Sequence, residues 1–330
     1  MTGPDRVSVI IPHRNGKTLL TRVLADLAGQ TMPPAEIIVV DDGSTDGSPR
    51  IARAAGARIL ETGGGGGFTR AVNLGLTEAG CPLVAILNND VELPNEWLAN
   101  LMAGLGSGDY AFATGKILKT DRPELIDGSW DALCRGACAW RCGHGRPDGP
   151  LWGQPRAILF APLTAALFRR EVFSEVGLLD ERFESWLEDV DFGIRCALRG
   201  YKGIYVPNAV ARHKGGGTLG KWNPDTVRRI ARNQLLLAAK HYPGGLLLRY
   251  AWPILVSHLL WGVVAARHGA TRAWLAGKWA GIRGFASIRA TQRTPDGALR
   301  RLLTTSEHEI HELQKLTGFD WYWKFYFALT

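Results

Sequence analysis

The chain has 330 residues, 46% hydrophobic and 21% charged, with 40 Gly and 17 Pro. It can bury one large core or two modest ones, and it lacks the composition of a disordered, collagen-like or fibrous chain. Its formal charge of +8 asks for an anionic partner, whether nucleic acid, a nucleotide or an anionic membrane surface.

Five cysteines, an odd number over a long chain, and a start at Met1 that runs into TGPDRVSVIIPH without an apolar secretory segment point to a reducing cytoplasm. From Val7 to about Val210, short runs rich in Val and Ile (VSVIIP, EIIVVDD, ARIL, PLVAILNND, GIYVP) alternate with helix-like stretches such as KTLLTRVLADLAGQT. That rhythm predicts an α/β fold with a mainly parallel mixed sheet. The polar residues closing each run then lie just past strand ends, where open α/β sheets bind ligands.

The first run ends in IIPHRNG. Gly16, Lys17 and Thr18 do not complete a P-loop, because Ile11 occupies the place of the leading glycine. The second run delivers Asp41 and Asp42 into a Gly-Ser-Thr-Asp-Gly turn. These carboxylates can accept from a ribose or a base, although the turn alone equally describes a helix N-cap. Five glycines, Gly63 to Gly67, then lead into a helix start with Arg70 and Asn73, a loop that lets backbone approach a ligand. Phe68 stands where a dinucleotide fingerprint counted from Gly63 needs its third glycine, which leaves a nicotinamide-dependent oxidoreductase a remote rival.

PLVAIL delivers Asn88, Asn89 and Asp90, oxygen donors suited to a hard divalent cation that also holds a diphosphate. Cys134, Cys138 and Cys142 with His144 have a spacing tolerable for zinc, but a helical face of small buried side chains describes them better. Glu188, Asp189 and Asp191 place three acids within four positions beside Trp186 and Phe192, a setting that can tune a general base. Past GIYVP come His213, Lys214 and a triple glycine, Gly215 to Gly217. The imidazole is either structural or completes a metal or phosphate site.

From about Pro243 the text is helical. Arg267, Arg272, Lys278, Arg283, Arg289, Arg293, Arg300 and Arg301 face the single acid Asp296, interleaved with Trp252, Trp261, Trp274, Trp279 and Phe285. Tyr250 to Ala266 is short for a spanning helix, so the region reads as a peripheral anchor on an anionic membrane surface, with a core helix bearing a solvated basic face as the alternative. No nucleic-acid recognition module is present, so nucleic acid is not expected as a partner. The terminal cluster from Trp321 to Phe327 is expected to pack.

Taken in order, IIPHRNG, VVDDGSTDGS, the glycine loop with Arg70 and Asn73, LNNDV, LEDVDF and RHKGGGT resemble the family-two inverting glycosyltransferases with the GT-A fold, over about Val7 to Gly217. The Asn-x-Asp form of the aspartate motif resembles the rhamnosyltransferase-like branch. The change of pattern sets apart a helical, basic region over 241–330, and the resemblance implies a nucleotide-diphospho-sugar transferase domain over 1–240. It implies that Pro12, Arg14, Asp41 and Asp42 line the nucleoside pocket and that Arg70, Asn73, Asn88 and Asn89 stand at the donor. Asp90 would hold Mg²⁺ or Mn²⁺, with His213 at a position that is a metal ligand in some relatives. Asp189 would be the base, with Glu188 and Asp191 orienting it or binding the acceptor. The resemblance implies transfer from dTDP-L-rhamnose or a UDP-sugar to a saccharide hydroxyl, and the basic, Trp-rich tail suits a polyprenyl-linked acceptor at the cytoplasmic membrane face. A non-catalytic nucleotide- or lipid-binding scaffold of the same fold is the alternative.

Overall fold

The structure is a computed structural model and describes residues 6–215, 222–289 and 296–330. In chain order, the first unit runs β1 (Val7–His13), α1 (Lys17–Ala28), β2 (Glu36–Asp41), α2 (Ser48–Ala54), β3 (Arg58–Glu61), α3 (Gly67–Glu78), β4 (Leu83–Leu87), β5 (Val91–Glu92), α4 (Trp97–Gly106), β6 (Phe112–Lys119) and β7 (Ile126–Gly128). A hairpin of β8 (Asp131–Leu133) and β9 (Ala139–Arg141) follows. The first unit then resumes with β10 (Arg156–Ile158), β11 (Ala165–Arg169), α5 (Glu171–Val176), α6 (Glu188–Leu198) and β12 (Gly203–His213).

The sheet has the order β10-β12-β6-β11-β4-β1-β2-β3, with β5 on β12 and β7 on β6. β3, β2, β1 and β4 run parallel, β11 is antiparallel between β4 and β6, and β6 runs parallel to β12. β4 is buried along its whole length and β1 along nearly all of it, which is why both read as continuous apolar runs rather than alternating ones. Leu20, Val23, Leu24 and Leu27 of α1 join Trp97, Leu98 and Leu101 of α4 in one core over this sheet.

Of the described residues, the second unit takes in 131–142, 222–289 and 296–330, and the first takes in 6–130 and 143–215. Its helices are α7 (Pro224–His241), α8 (Gly244–Arg249), α9 (Ala251–Arg267), α10 (Thr271–Arg289), α11 (Asp296–Thr317) and α12 (Trp321–Leu329). The division therefore falls before residue 240. α7 belongs with the helices because Gly277 and Gly281 of α10 lie against it, where a Cβ at Gly277 would come within 2.3 Å of the Arg228 carbonyl oxygen. The β8-β9 hairpin is fastened to α11, since Ser306 Oγ accepts from Leu133 N at 2.7 Å and the Glu307 carboxylate accepts from the Arg135 backbone and guanidinium.

Several expectations for this region change. Cys134 and Cys138 flank the tip of a hairpin, with Cys134 N donating to Cys138 O and Ala137 at φ 58°, so they do not share a helix face. Burial pushes both thiols up. Lys278 and Arg289 do not belong to the solvated basic face: Lys278 Nζ donates to Gln234, and Arg289 donates to the carbonyls of Ala239 and Tyr242. Trp261 and Trp274 pack on Val227, Ala265 and Ala270. Arg293 lies outside the described residues. Trp323 and Tyr326 are buried, as expected of the terminal aromatic cluster.

Candidate functional site

Every residue of the candidate site lies in the first unit, at or just beyond the carboxyl ends of strands. His13 and Asp41 are register partners at the ends of β1 and β2, and Asp42 N donates to His13 O at 2.8 Å. Asp41 Oδ2 accepts from Ser44 N at 3.0 Å, while its Oδ1 is buried with no hydrogen-bond partner. His13 Nδ1 lies 2.8 Å from Asn89 Nδ2, and Nε2 is likewise buried without a partner. An amide nitrogen only donates, so His13 Nδ1 accepts and Nε2 carries the proton. Burial lowers the His13 pKa against the pull of Asp41 and Asp46, which keeps the ring neutral. One unused donor and one unused acceptor thus stand on neighbouring strand ends, complementary to the polar edge of a base or a ribose. His13 was quoted in the sequence motif but given no role; a His closing a β-run was the available signal.

Asp42 has a different task. Its carboxylate accepts from the Thr62 hydroxyl, from Gly66 N at 2.7 Å and from Gly67 N at 3.1 Å, so it pins the glycine loop to the end of β2. Gly67 has φ +74°, a left-handed backbone that glycine adopts freely. α3 starts there and is tied to the segment before α6. Thr69 N and Oγ1 both donate to Glu184 O, and the Asn73 side chain bonds both the N–H and the C=O of Leu179. Asn73 is therefore a buried buckle between two loops rather than a group facing the donor, and Arg70 on the same helix is exposed. Pro12 is half-buried and Arg14 exposed.

Through this tie the glycine loop sets the entry to α6. Glu184, Trp186 and Leu187 all have positive φ, at 61°, 72° and 67°, conformations that cost about 1 kcal/mol or more each and persist only where surroundings enforce them. Asp189 follows in the first turn, half-buried, its Oδ1 accepting from Val190 N at 2.8 Å. The positive end of the helix dipole favours its ionised form. Glu188 is buried beside it. Asp191 is fully buried and paired at 3.1 Å with Arg195, whose guanidinium also bonds the carbonyls of Val176, Gly177 and Leu178. That pairing places Asp191 in the core, where of the three acids it is the one that holds the loop together.

The last cluster joins three segments distant in sequence. Asp90 follows β4, His213 ends β12, and Asp127 lies in β7. His213 Nε2 is 3.1 Å from Asp90 Oδ1, and His213 Nδ1 is 2.7 Å from Asp127 Oδ2. All three side chains are nearly buried. Burial works to lower the His213 pKa, but the bonds to Asp127 and Asp90 outweigh it and raise the pKa to about 9. Without that extra proton the Nε2 lone pair would oppose a carboxylate oxygen, so the site asks for positive charge. A divalent cation meets the demand: ligands about 2.1 Å from one ion and at right angles are about 3 Å apart. Among the described residues there is no group of three or more His, Cys, Asp or Glu placed to hold a metal, so Asp90 and His213 could offer a cation two ligand atoms and no more from this set. Asn88 is half-buried, its backbone N–H bonded to Thr164 O. Asp127 was missed in the sequence because Asp-Gly after a short apolar run reads as a turn. Of the triple glycine, Gly216 and Gly217 lie outside the described residues.

Comparison with known proteins bears on the family and the fold. Residues 8–177 match Glycosyl transferase family 2. The chain is 30% identical over 224 residues to an N-acetylglucosaminyl-diphospho-decaprenol L-rhamnosyltransferase of Mycobacterium tuberculosis, covering 60% of this chain and 73% of that protein. It is 25% identical over 210 residues to the O-antigen biosynthesis protein RfbC of Myxococcus xanthus, covering 61% of this chain but 16% of that one. Among solved structures, GalNAc-T7 with UDP, GalNAc and Mn²⁺ aligns with TM-score 0.61 at 16% identity, over 95% of this chain and 58% of that one. The mannosyltransferase PcManGT of Pyrobaculum calidifontis with GDP-Man and Mn²⁺ aligns with TM-score 0.51 at 21% identity, over 97% and 87%. At such identities the likeness shows the fold, which is the expected GT-A arrangement with a helical C-terminal region.

Proposed function

The chain belongs to glycosyl transferase family 2, and on that premise we propose that it is a metal-dependent inverting enzyme that moves a sugar from a nucleotide-sugar to a hydroxyl of a lipid-linked saccharide. The observation that carries this reading is the Asp90–His213 pair, two ligand atoms 3.1 Å apart beyond the same sheet whose β1 and β2 ends leave His13 and Asp41 with unused polar atoms. dTDP-L-rhamnose leads the donors and UDP-sugars follow, because a similar protein is named as a rhamnosyltransferase acting on a decaprenol-linked sugar.

Asp41, His13 and Pro12 receive the nucleoside, with Arg14 at its edge. The glycine loop pinned by Asp42 offers backbone N–H groups, and Arg70 and Asn88 stand toward the diphosphate. Asn89 acts through His13. Asp90 and His213 would hold Mg²⁺ or Mn²⁺, which when bound would supply positive charge against the departing nucleoside diphosphate. Asp189 takes the proton from the acceptor hydroxyl as its oxygen bonds the anomeric carbon, and the bond to the donor phosphate breaks on the opposite face, inverting that centre. Glu188, buried beside it, orients Asp189, and Asp191 holds the loop before α6 through Arg195.

The helical unit supports a peripheral place on the inner face of the cell membrane. Leu248, Trp252, Leu255, Leu259 and Val263 form an exposed apolar stripe along α8 and α9, with Leu275, Trp279 and Ile282 along α10. Arg249, Arg267, Arg272 and Arg283 are exposed on the same helices. Among the described residues no helix is long and apolar enough to cross a membrane, and a stripe of this kind suits the interface plane.

The test is a panel of nucleotide-sugars incubated with the protein in Mg²⁺, Mn²⁺ or EDTA. Release of nucleoside diphosphate from one donor, abolished by EDTA and by Asp90→Ala, is the expected result. Absence of both turnover and nucleotide binding across the panel would overturn the reading.

A further inference from the structure

We propose that Asp127 is a positioning residue that sets the His213 imidazole for cation binding, a role that rests on reading Asp90 and His213 as the cation's ligands. Asp127 Oδ2 lies 2.7 Å from His213 Nδ1. A carboxylate there accepts, so Nδ1 carries the hydrogen and the Nε2 lone pair is delivered 3.1 Å from Asp90 Oδ1. Histidines that ligate metals almost always donate their other ring N–H to such a group, which fixes the tautomer and the ring plane and strengthens the ligand.

The sheet enforces this arrangement. β6 is the common neighbour: Ile117 pairs with Gly128 of β7 and Lys119 pairs with His213 of β12. His213 is fixed in register opposite Lys119, and Asp127 lies at the irregularity of β7, between Ile126 paired with Leu118 and Gly128 paired with Ile117; bulges of this kind re-aim a side chain. Asp127 is in turn braced by His144, whose Nδ1 donates to the Asp127 carbonyl at 2.7 Å and lies 3.7 Å from its Oδ1. This contact assigns His144 to the bracing of Asp127. Both histidines thus converge on Asp127, one nearly buried residue, and His213 also reaches Asp90.

The experiment uses Mn²⁺ as probe on the full chain, alone and with UDP, read by titration and by the ¹⁴N modulation that a coordinated imidazole imposes on the Mn²⁺ electron-spin echo. The natural protein shows ¹⁴N coupling. Asp127→Ala weakens Mn²⁺ affinity roughly 10–100-fold and loses or reduces the coupling. Asp127→Asn, which keeps an acceptor oxygen but no charge, falls between, and metal-free thermal unfolding of the Asn variant stays near that of the natural protein. If the natural protein shows ¹⁴N coupling and both variants keep it with unchanged affinity, the role of Asp127 is wrong while the ligand pair stands. If the natural protein shows no ¹⁴N coupling, the ligand reading fails and this proposal falls with it.

Discussion

The Asp42 carboxylate accepts a 2.7 Å hydrogen bond from the backbone N–H of Gly66, joining the end of one strand to a glycine loop that sequence order alone does not attach to it. Its neighbour Asp41 keeps one buried oxygen unbonded. Adjacent acids with the same chemistry therefore carry different loads. Asp42→Ala strands two loop N–H groups and is expected to cost about 2–3 kcal/mol of stability, seen as a lower unfolding temperature. Asp41→Asn is expected to leave unfolding nearly unchanged and to weaken UDP or dTDP binding, measured by calorimetric titration. Equal effects of the two substitutions on unfolding would contradict this division.

The acids of α6 divide in the same way. Breaking the buried pair of Asp191 with Arg195 leaves the guanidinium an uncompensated buried charge, so Asp191→Ala is expected to lose roughly 3–5 kcal/mol. Chemical denaturation curves measure this directly. An Asp191→Ala chain as stable as the natural one would return Asp191 to the candidates for direct contact with the acceptor.

Lys278 titrates low, at about 8 against 10.5, because burial penalises its charged form while Cys138 opposes the shift. Between those values the unfolded chain binds more protons than the folded one, so stability rises with pH across that window, by up to roughly 1.4 kcal/mol per pH unit. Lys278→Met is expected to raise the unfolding temperature at pH 7 and to flatten the dependence from pH 8 to 10. His258, fully buried with its pKa well below 6.5 through burial and then Lys278, acts at the acid end: stability falls as pH drops below 6.5, since the unfolded imidazole takes up a proton that the folded one refuses.

Sedimentation with vesicles of anionic phospholipid reports on the helical unit. Binding in low salt that weakens in high salt is expected, and replacing exposed Trp252 and Trp279 by Ala should reduce it severalfold. Binding unchanged in the double variant would show that these stripes do not touch lipid.

Much of the fold was legible because apolar runs and glycine-rich turns are local signals. β1, β2 and β4 stand where VSVIIP, EIIVV and PLVAIL placed them, and Asp41, Asp42 and Asp90 close strands as expected. What the sequence hid is pairing across distance. Asp127 reads as a turn residue until β6 sets β7 and β12 side by side, and Asn73 reads as a ligand-facing polar group until Leu179 occupies both ends of its amide. The basic tail misled for a related reason. A run of cations says nothing about which face each takes, and Lys278 and Arg289 turn inward to satisfy Gln234 and the carbonyls at the end of α7.

The most direct test of the central claim is transfer in a single turnover, with donor prebound in Mn²⁺ and a saccharide-diphospho-polyprenol acceptor added, comparing the natural chain with Asp189→Asn. The expected result is a product of inverted anomeric configuration from the natural chain, and a transfer rate roughly 10²–10⁴-fold lower in the variant with nucleotide affinity and unfolding temperature retained. A variant that transfers at the natural rate would remove Asp189 from the chemistry and contradict the account.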